Sequence, residues 1–170
     1  ATNGVIIITT KKGIPGKPEI KYSGYAYTER WFNKPRLLTA DEYRFYKNEW
    51  ANSDDPFLAE KAYSMVDYGG NSDWFDVITQ NAISQVHDLS MSGGSESTQY
   101  YGSLNYRQQN GFVKETGKNV MNGSLSLTHR ALEDRLSFQL NLNNSFISSH
   151  PFNNEIMVQP MSRNPTQLVY

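Results

Sequence analysis

Three histidines, His87, His129 and His150, are the most obvious candidates for chemistry in this chain, and none has a carboxylate or second histidine at a metal-ligand or catalytic spacing. Asp67, Gly69, Asn71 and Asp73 follow the oxygen-ligand rhythm of a calcium loop, but Ile78 stands where the closing bidentate glutamate belongs, so a turn is the simpler reading. Asp54 and Asp55 precede Pro56 and read as a helix start rather than an acid/base pair. No nucleophile with a partnered base can be picked out, which points away from an enzyme and leaves neither a metal nor a cofactor to place. Asn122, Gly123 and Ser124 match a glycosylation sequon, yet they lie inside a strand pattern. The remaining candidates are aromatic. Trp31, Phe32, Tyr43, Tyr46, Trp50, Trp74 and Phe75 fall in one stretch and would serve as a small local core, a membrane-interface girdle or a stacking platform for sugars.

Composition narrows the function classes. The chain has 170 residues, a formal net charge of -1 and no strong charge run, which argues against electrostatic capture of nucleic acid. It has no cysteine, which removes disulfides and thiolate metal sites from consideration. The longest wholly aliphatic run is Val5 to Ile8, far short of the roughly 20 apolar residues of a membrane helix, so any membrane span would be made of strands. The chain opens on Ala1 without an initiator Met, which reads as a mature product or a piece of something longer.

The elements that must position these residues are mostly strands. Val5 to Thr10 is a β-branched run without alternation, expected to be a strand buried on both faces, and a turn-rich Lys12 to Pro18 follows it. From about Pro18 to Trp31, Ile20, Tyr22, Gly24 and Ala26 share one parity, with Gly24 leaving room for a bulge. Thr39 can cap a helix over about Ala40 to Trp50, with Glu42 at the reciprocal capping position. A weaker helix is expected over Pro56 to Met65 and a short segment at Phe75 to Thr79. Thereafter the chain reads as a meander of strands at about 85–92, 97–108, 119–129 and 136–148, turned tightly at Gly93 to Glu96 and at Arg130 to Arg135, and ending in an irregular Pro- and Asn-rich tail.

The meander carries a physical demand. Leu125 and Leu127, then Leu136, Phe138, Leu140 and Leu142, fall on one parity within each run, while Ser137, Gln139, Asn141 and Asn143 fall on the other. Leaving the four apolar residues of the last strand in water would cost something like 6 to 12 kcal/mol, so this flank needs a cover. Connections alternate long and short, and the strands approach the 9 to 11 residues that cross a bilayer at a tilt. A soluble up-and-down barrel or sandwich and a membrane barrel both satisfy that pattern.

Motifs in fixed order separate the two. The opening ATNGVIIITTKKG resembles the last plug strand of SusC/RagA-type TonB-dependent outer-membrane transporters. LLTADEYRFY is similar to the segment after their first barrel strand, NSDWFDVI to their Asp-Trp motif, and LSMSGGSESTQYYGSLNYRQQNGFVKETGKN to a strand, Gly-Gly-Ser turn, Tyr-rich return strand and Gly-containing loop. The resemblance implies a mainly β fold: an up-and-down antiparallel meander within a 22-stranded transmembrane barrel, with a long, partly helical extracellular loop over about 32–84. Residues 1–16 would be the last plug strand and linker, and 17–170 the start of the barrel. It further implies a Gram-negative outer-membrane importer of glycan oligosaccharides or peptides, a SusD-like surface lipoprotein as lid, and energy from the TonB complex through a segment absent here. Leu125, Leu127, Leu136, Phe138, Leu140 and Leu142 would face lipid. Trp50, Trp74, Tyr101, Asn105 and Arg107 would be the residues to meet solute, with Gln139 and Asn141 also on the lumen side. The competing expectation from residues alone is a soluble, β-rich surface module that binds glycan through the loop aromatics.

Overall fold

The computed structural model describes Lys11 and residues 13–169, so the strand expected at Val5 to Thr10 lies outside the described residues. Five strands, β1 (Gly16–Glu29), β2 (Ala82–Gly94), β3 (Thr98–Asn110), β4 (Gly117–Ala131) and β5 (Leu136–His150), form one sheet in which spatial order equals chain order. The pairs β2–β3, β3–β4 and β4–β5 are antiparallel and keep one register throughout. Strands run to 13–15 residues, beyond the expected ends, because polar residues such as Asn110, Lys118 and Ser149 continue the backbone ladder where the apolar alternation has stopped.

The two tight turns use different chemistry. Between β2 and β3, the Ser95 N–H donates to the Thr98 carbonyl at 2.7 Å, and Gly94, at φ +141°, sits where a Cβ would collide with that carbonyl oxygen. Between β4 and β5, Leu132, Glu133 and Asp134 are all left-handed, at φ 56°, 53° and 66°, and the Arg135 N–H closes the turn on the Leu132 carbonyl at 3.1 Å. Such a run without glycine or asparagine is uncommon.

The chain divides into two compact units. The first is the sheet, made of the described residues up to Tyr27 with Ile83–Asn110 and Gly117–His150. The second collects the connections that follow β1, β3 and β5: Thr28–Ala82, Gly111–Thr116 and the chain from Pro151 onward. Here α1 (Ala40–Ala51) starts at Thr39 with the expected reciprocal cap, α2 (Pro56–Ser64) is capped by Asp55 with proline in its first turn, and α3 (Trp74–Ile78) is capped by Asp73. The tail expected to be irregular forms α4 (Asn154–Ser162) instead. Asn153 caps it by accepting the Glu155 N–H at 3.0 Å, and Pro160 stands within it as a buried residue.

Ala40, Ala62, Phe75, Val113 and Thr166 form the buried interior of this second unit. Trp31 packs edge-on against Phe75 and Phe112 at 5.2 and 5.6 Å, and Thr79 bridges to Val113. Of the expected loop aromatics, Phe75 is therefore core and Trp31 packs on it half-buried, while Phe32 and Tyr46 are exposed.

Candidate functional site

Register sorts the sheet into two chemically distinct faces. On one, Leu89, Leu104, Gly123 and Asn144 align across β2 to β5, followed by Met91, Gly102, Leu125 and Leu142, and then by Gly93, Tyr100, Leu127 and Leu140. His129 pairs with Phe138, and Ala131 with Leu136, on the same face. The six leucine and phenylalanine positions expected to share a flank thus do so. Leu125, Phe138 and Leu142 remain 43%, 55% and 53% exposed, a large apolar surface for a sheet to leave open. Toward the ends joined by long connections, the Tyr22 hydroxyl bonds His87 Nδ1 at 2.7 Å and the Tyr22, His87 and Tyr106 rings stack in series at 6.1 and 6.4 Å. His87 belongs to this aromatic row, and His129 bonds the Thr98 hydroxyl at 2.8 Å, so both histidines have structural partners.

On the other face, amides and hydroxyls are joined across strands. Asn105 donates to the Asp88 carboxylate, Asn122 donates to Asn105 Oδ1 at 3.3 Å, and Ser145 donates to Asn122 Oδ1 at 2.8 Å. One row further along, the Ser103 and Ser124 hydroxyls meet at 2.7 Å. This explains why the polar flank carries so few charges: an amide both donates and accepts and can pass a bond from strand to strand, whereas lysine only donates and ionised glutamate only accepts. Tyr101, Asn105, Arg107, Gln139 and Asn141 all fall on this face, with Tyr101 and Asn141 in one row through Ser126 and the other three each in a row of their own. Lys11 joins Tyr101, Ser126 and Asn141 around a hollow of about 210 Å³. Asn122 of the sequon is part of the ladder.

Within the second unit, segments far apart in sequence are stitched by polar contacts. Asn164 donates its amide to the Tyr43 hydroxyl and the Val66 carbonyl at 3.0 and 2.7 Å, and the Gly70 N–H reaches the Thr166 carbonyl at 2.6 Å. A Cβ at Gly70 would lie 2.6 Å from that same oxygen, which requires glycine. Arg44 forks onto Asp67 at 2.9 and 3.3 Å and bonds the Gly70 carbonyl at 2.7 Å. The Arg44 hydrogen bond, then the Gly69 N–H, holds the Asp67 carboxyl below its ordinary range. Bonds from the Thr39 backbone and hydroxyl, helped by Arg36, likewise lower Glu42, while burial raises the Tyr43 phenol. Asp67 and Asp73 are committed to Arg44 and to the α3 cap, and among the described residues no acidic or histidine cluster is placed to hold a metal.

The structure places Trp50 and Trp74 in this unit and Tyr101, Asn105 and Arg107 in the sheet. Trp50 lies 6.2 Å from Tyr46, ring to ring. Trp74 is half-buried, donates its indole N–H to the Asn164 carbonyl at 3.0 Å and carries the Arg163 guanidinium 5.1 Å above its ring. Arg163 had no signal in the sequence, since its partner comes from a distant segment. Trp74, Arg163, Lys34, Arg36 and Asp73 line a cavity of about 380 Å³.

A meander with one open apolar face and one hydrogen-bonded polar face is the wall architecture of TonB-dependent receptor barrels, and known proteins of that class match it. The chain is 36% identical over 143 residues to the TonB-dependent receptor SusC of Bacteroides thetaiotaomicron, covering 83% of this chain and 13% of that protein. It is 33% identical over 153 residues to a TonB-dependent receptor of Formosa agariphila, covering 85% and 15%. Its fold is similar to that of the RagAB peptide importer in the open-open state, with a TM-score of 0.61, 25% identity and coverage of 89% of this chain and 20% of that one. The closed-closed state of the same importer gives a TM-score of 0.58 at 23% identity, covering 84% and 19%. No family model matches the chain. The chain belongs to the SusC/RagA-type TonB-dependent receptors. It spans 13% and 15% of the length of the two curated relatives named here.

Proposed function

We propose that this chain is part of the wall of a Gram-negative outer-membrane importer that takes up glycan oligosaccharides or peptides, with a SusD-like surface lipoprotein as lid and energy from the TonB complex through a segment outside the chain. The observation that carries this reading is the division of one sheet into an open apolar face and a polar face on which Asp88, Asn105, Asn122 and Ser145 are bonded in series across four strands. Lipid on one side and a watery lumen on the other suit that division. Leu125, Leu127, Leu136, Phe138, Leu140 and Leu142 then face hydrocarbon, and the Tyr22, His87 and Tyr106 row serves as an interfacial girdle.

In this reading residues 1–16 close the plug, which the position of Lys11 on the polar face supports, and 17–170 begin the barrel. The second unit forms the extracellular loops, where Trp50 and Trp74 are placed to meet solute. Tyr101, Asn105 and Arg107 line the lumen. The test uses the full-length gene product, tagged and purified from outer membranes in detergent. A co-purifying surface lipoprotein, and uptake of labelled oligosaccharide or peptide that stops when TonB is removed, are the expected results. A protein that is monomeric in plain buffer, without a lipoprotein partner and without uptake, would overturn it.

A further inference from the structure

The cavity in the second unit has a charge pattern that neither the caps nor the core require. Three cations, Lys34, Arg36 and Arg163, line it against one carboxylate, Asp73. Lys34 is already bonded to Asp76 and Arg36 to Glu42. Asp73 is occupied by the start of α3, accepting the Phe75 and Asp76 N–H groups at 2.9 and 3.1 Å. Arg163 is different. Among the described residues its guanidinium has no carboxylate partner, and its Cζ lies over the Trp74 ring, 5.1 Å from the centroid. A guanidinium held over an aromatic face by cation–π attraction keeps N–H donors available, and its planar fork suits two parallel bonds to a carboxylate. Trp74 is itself held by its bond to the Asn164 carbonyl, so the platform is ordered before any ligand arrives. At about 380 Å³ the cavity is at the small end of the roughly 300–1,000 Å³ range of ligand pockets, room for a sugar ring or a short stretch of peptide.

We infer, building on the importer reading, that this cavity recognises a carboxylate on the incoming solute, with Arg163, held over Trp74, as the group that takes it. A uronate in an oligosaccharide and the terminal carboxylate of a peptide present the same planar pair of oxygens. The site therefore selects acidic solutes over neutral ones of the same shape.

The test uses the full-length protein in detergent and two matched pairs of probes: tri-galacturonate against its methyl ester, and an N-acetylated tripeptide against its C-terminal amide. In one pair, which thereby identifies the source of the carboxylate, the acid is expected to bind about tenfold or more tightly than its neutral twin. R163Q should bring the two members to near equality by weakening the acid far more than its neutral twin, and R163K should restore part of the preference. Thermal unfolding of each variant separates loss of recognition from loss of fold. Equal binding of acid and neutral probe in both pairs, or a preference that survives in folded R163Q, overturns the inference. Uptake by the unaltered protein is scored separately. If uptake is intact while R163Q leaves selectivity unchanged, only this inference fails. If there is no uptake and no lipoprotein partner, the importer reading fails whatever the binding shows.

Discussion

The sheet and the loop unit satisfy their backbone and bury their apolar groups in opposite ways. In the sheet, every interior strand pairs on both sides, the polar side chains bond one another, and the leucines are left outside. In the loop unit there is little regular ladder, so helix ends need Thr39, Asp55, Asp73 and Asn153 as caps, and a few large side chains fill the centre. In the proposed importer, a wall that takes its apolar cover from lipid can be built of alternating residues alone. A loop standing in water has to assemble its own core from whatever segments reach it.

The strongest way to break this comparison is Phe75→Ala. Phe75 is 1% exposed and in contact with Trp31, so its truncation should cost about 3–5 kcal/mol. Hydrogen exchange on the full-length protein should show protection lost around α3 and Val113 and retained in β3 to β5. Loss of protection throughout the sheet would show that the two regions are one cooperative unit.

Leu125→Arg probes the other region. On the open face it should destabilise the barrel by about 2–4 kcal/mol if Leu125 lies near the bilayer midplane. Gln139→Arg, on the polar face of β5, should be close to neutral. Heat-modifiable migration of the two variants from outer membranes reads the difference. Equal behaviour would mean that the two faces do not meet different solvents.

Asn122→Ala sharpens the account of the polar face. It leaves Asn105 without the donor it accepts from and Ser145 without its acceptor, for a loss of about 1 kcal/mol. Asn122→Asp should not repair it, because a carboxylate can accept from Ser145 but cannot donate to Asn105. Urea unfolding of the full-length protein in detergent, with a midpoint for each variant, checks the order.

These contrasts also explain what the sequence could reveal. Leu125 to Leu142 alternate within one pair of strands, so their shared flank follows from the period of a strand and needed no long-range knowledge. The Thr39 and Glu42 cap was equally legible, being three residues apart. The strand ends were not, because Asn110 and Ser149 pair through backbone groups that every residue possesses. The left-handed Leu132 to Asp134 turn carries none of the usual glycine or asparagine signals. α4 was hidden by Pro160 and the surrounding asparagines, although Asn153 is an ordinary cap. The bonds from Asn164 and Thr166 to the 66–70 segment join residues about a hundred positions apart, and Arg163 acquires its meaning only from Trp74 across a similar gap. Local periodicity shows through a single sequence; the closure of one loop upon another does not.

The smallest expected effect concerns acid. Asp67 and Glu42 both have carboxyl groups lowered by partners inside the loop unit, Arg44 for the first and Thr39 for the second. A carboxylate whose folded value lies below its unfolded value of about 4 contributes stability above that value and loses it as pH falls through the folded one. The loop unit should therefore be insensitive to pH between neutrality and about 5 and loosen below about 4, while the sheet, held by backbone pairing and neutral amides, should not follow it. Tyr43, raised by burial, adds an alkaline limit: its contribution is present below about 10 and lost as pH climbs through its folded value. The Arg44–Asp67 pair is partly exposed and should weaken in salt. Hydrogen exchange in α1, corrected for the intrinsic pH dependence of exchange, reads the acid limb. Asp67→Asn should be less protected than the parent at neutral pH and lose less on acidification. An acid transition of the same midpoint and size in the variant would place the titrating group elsewhere.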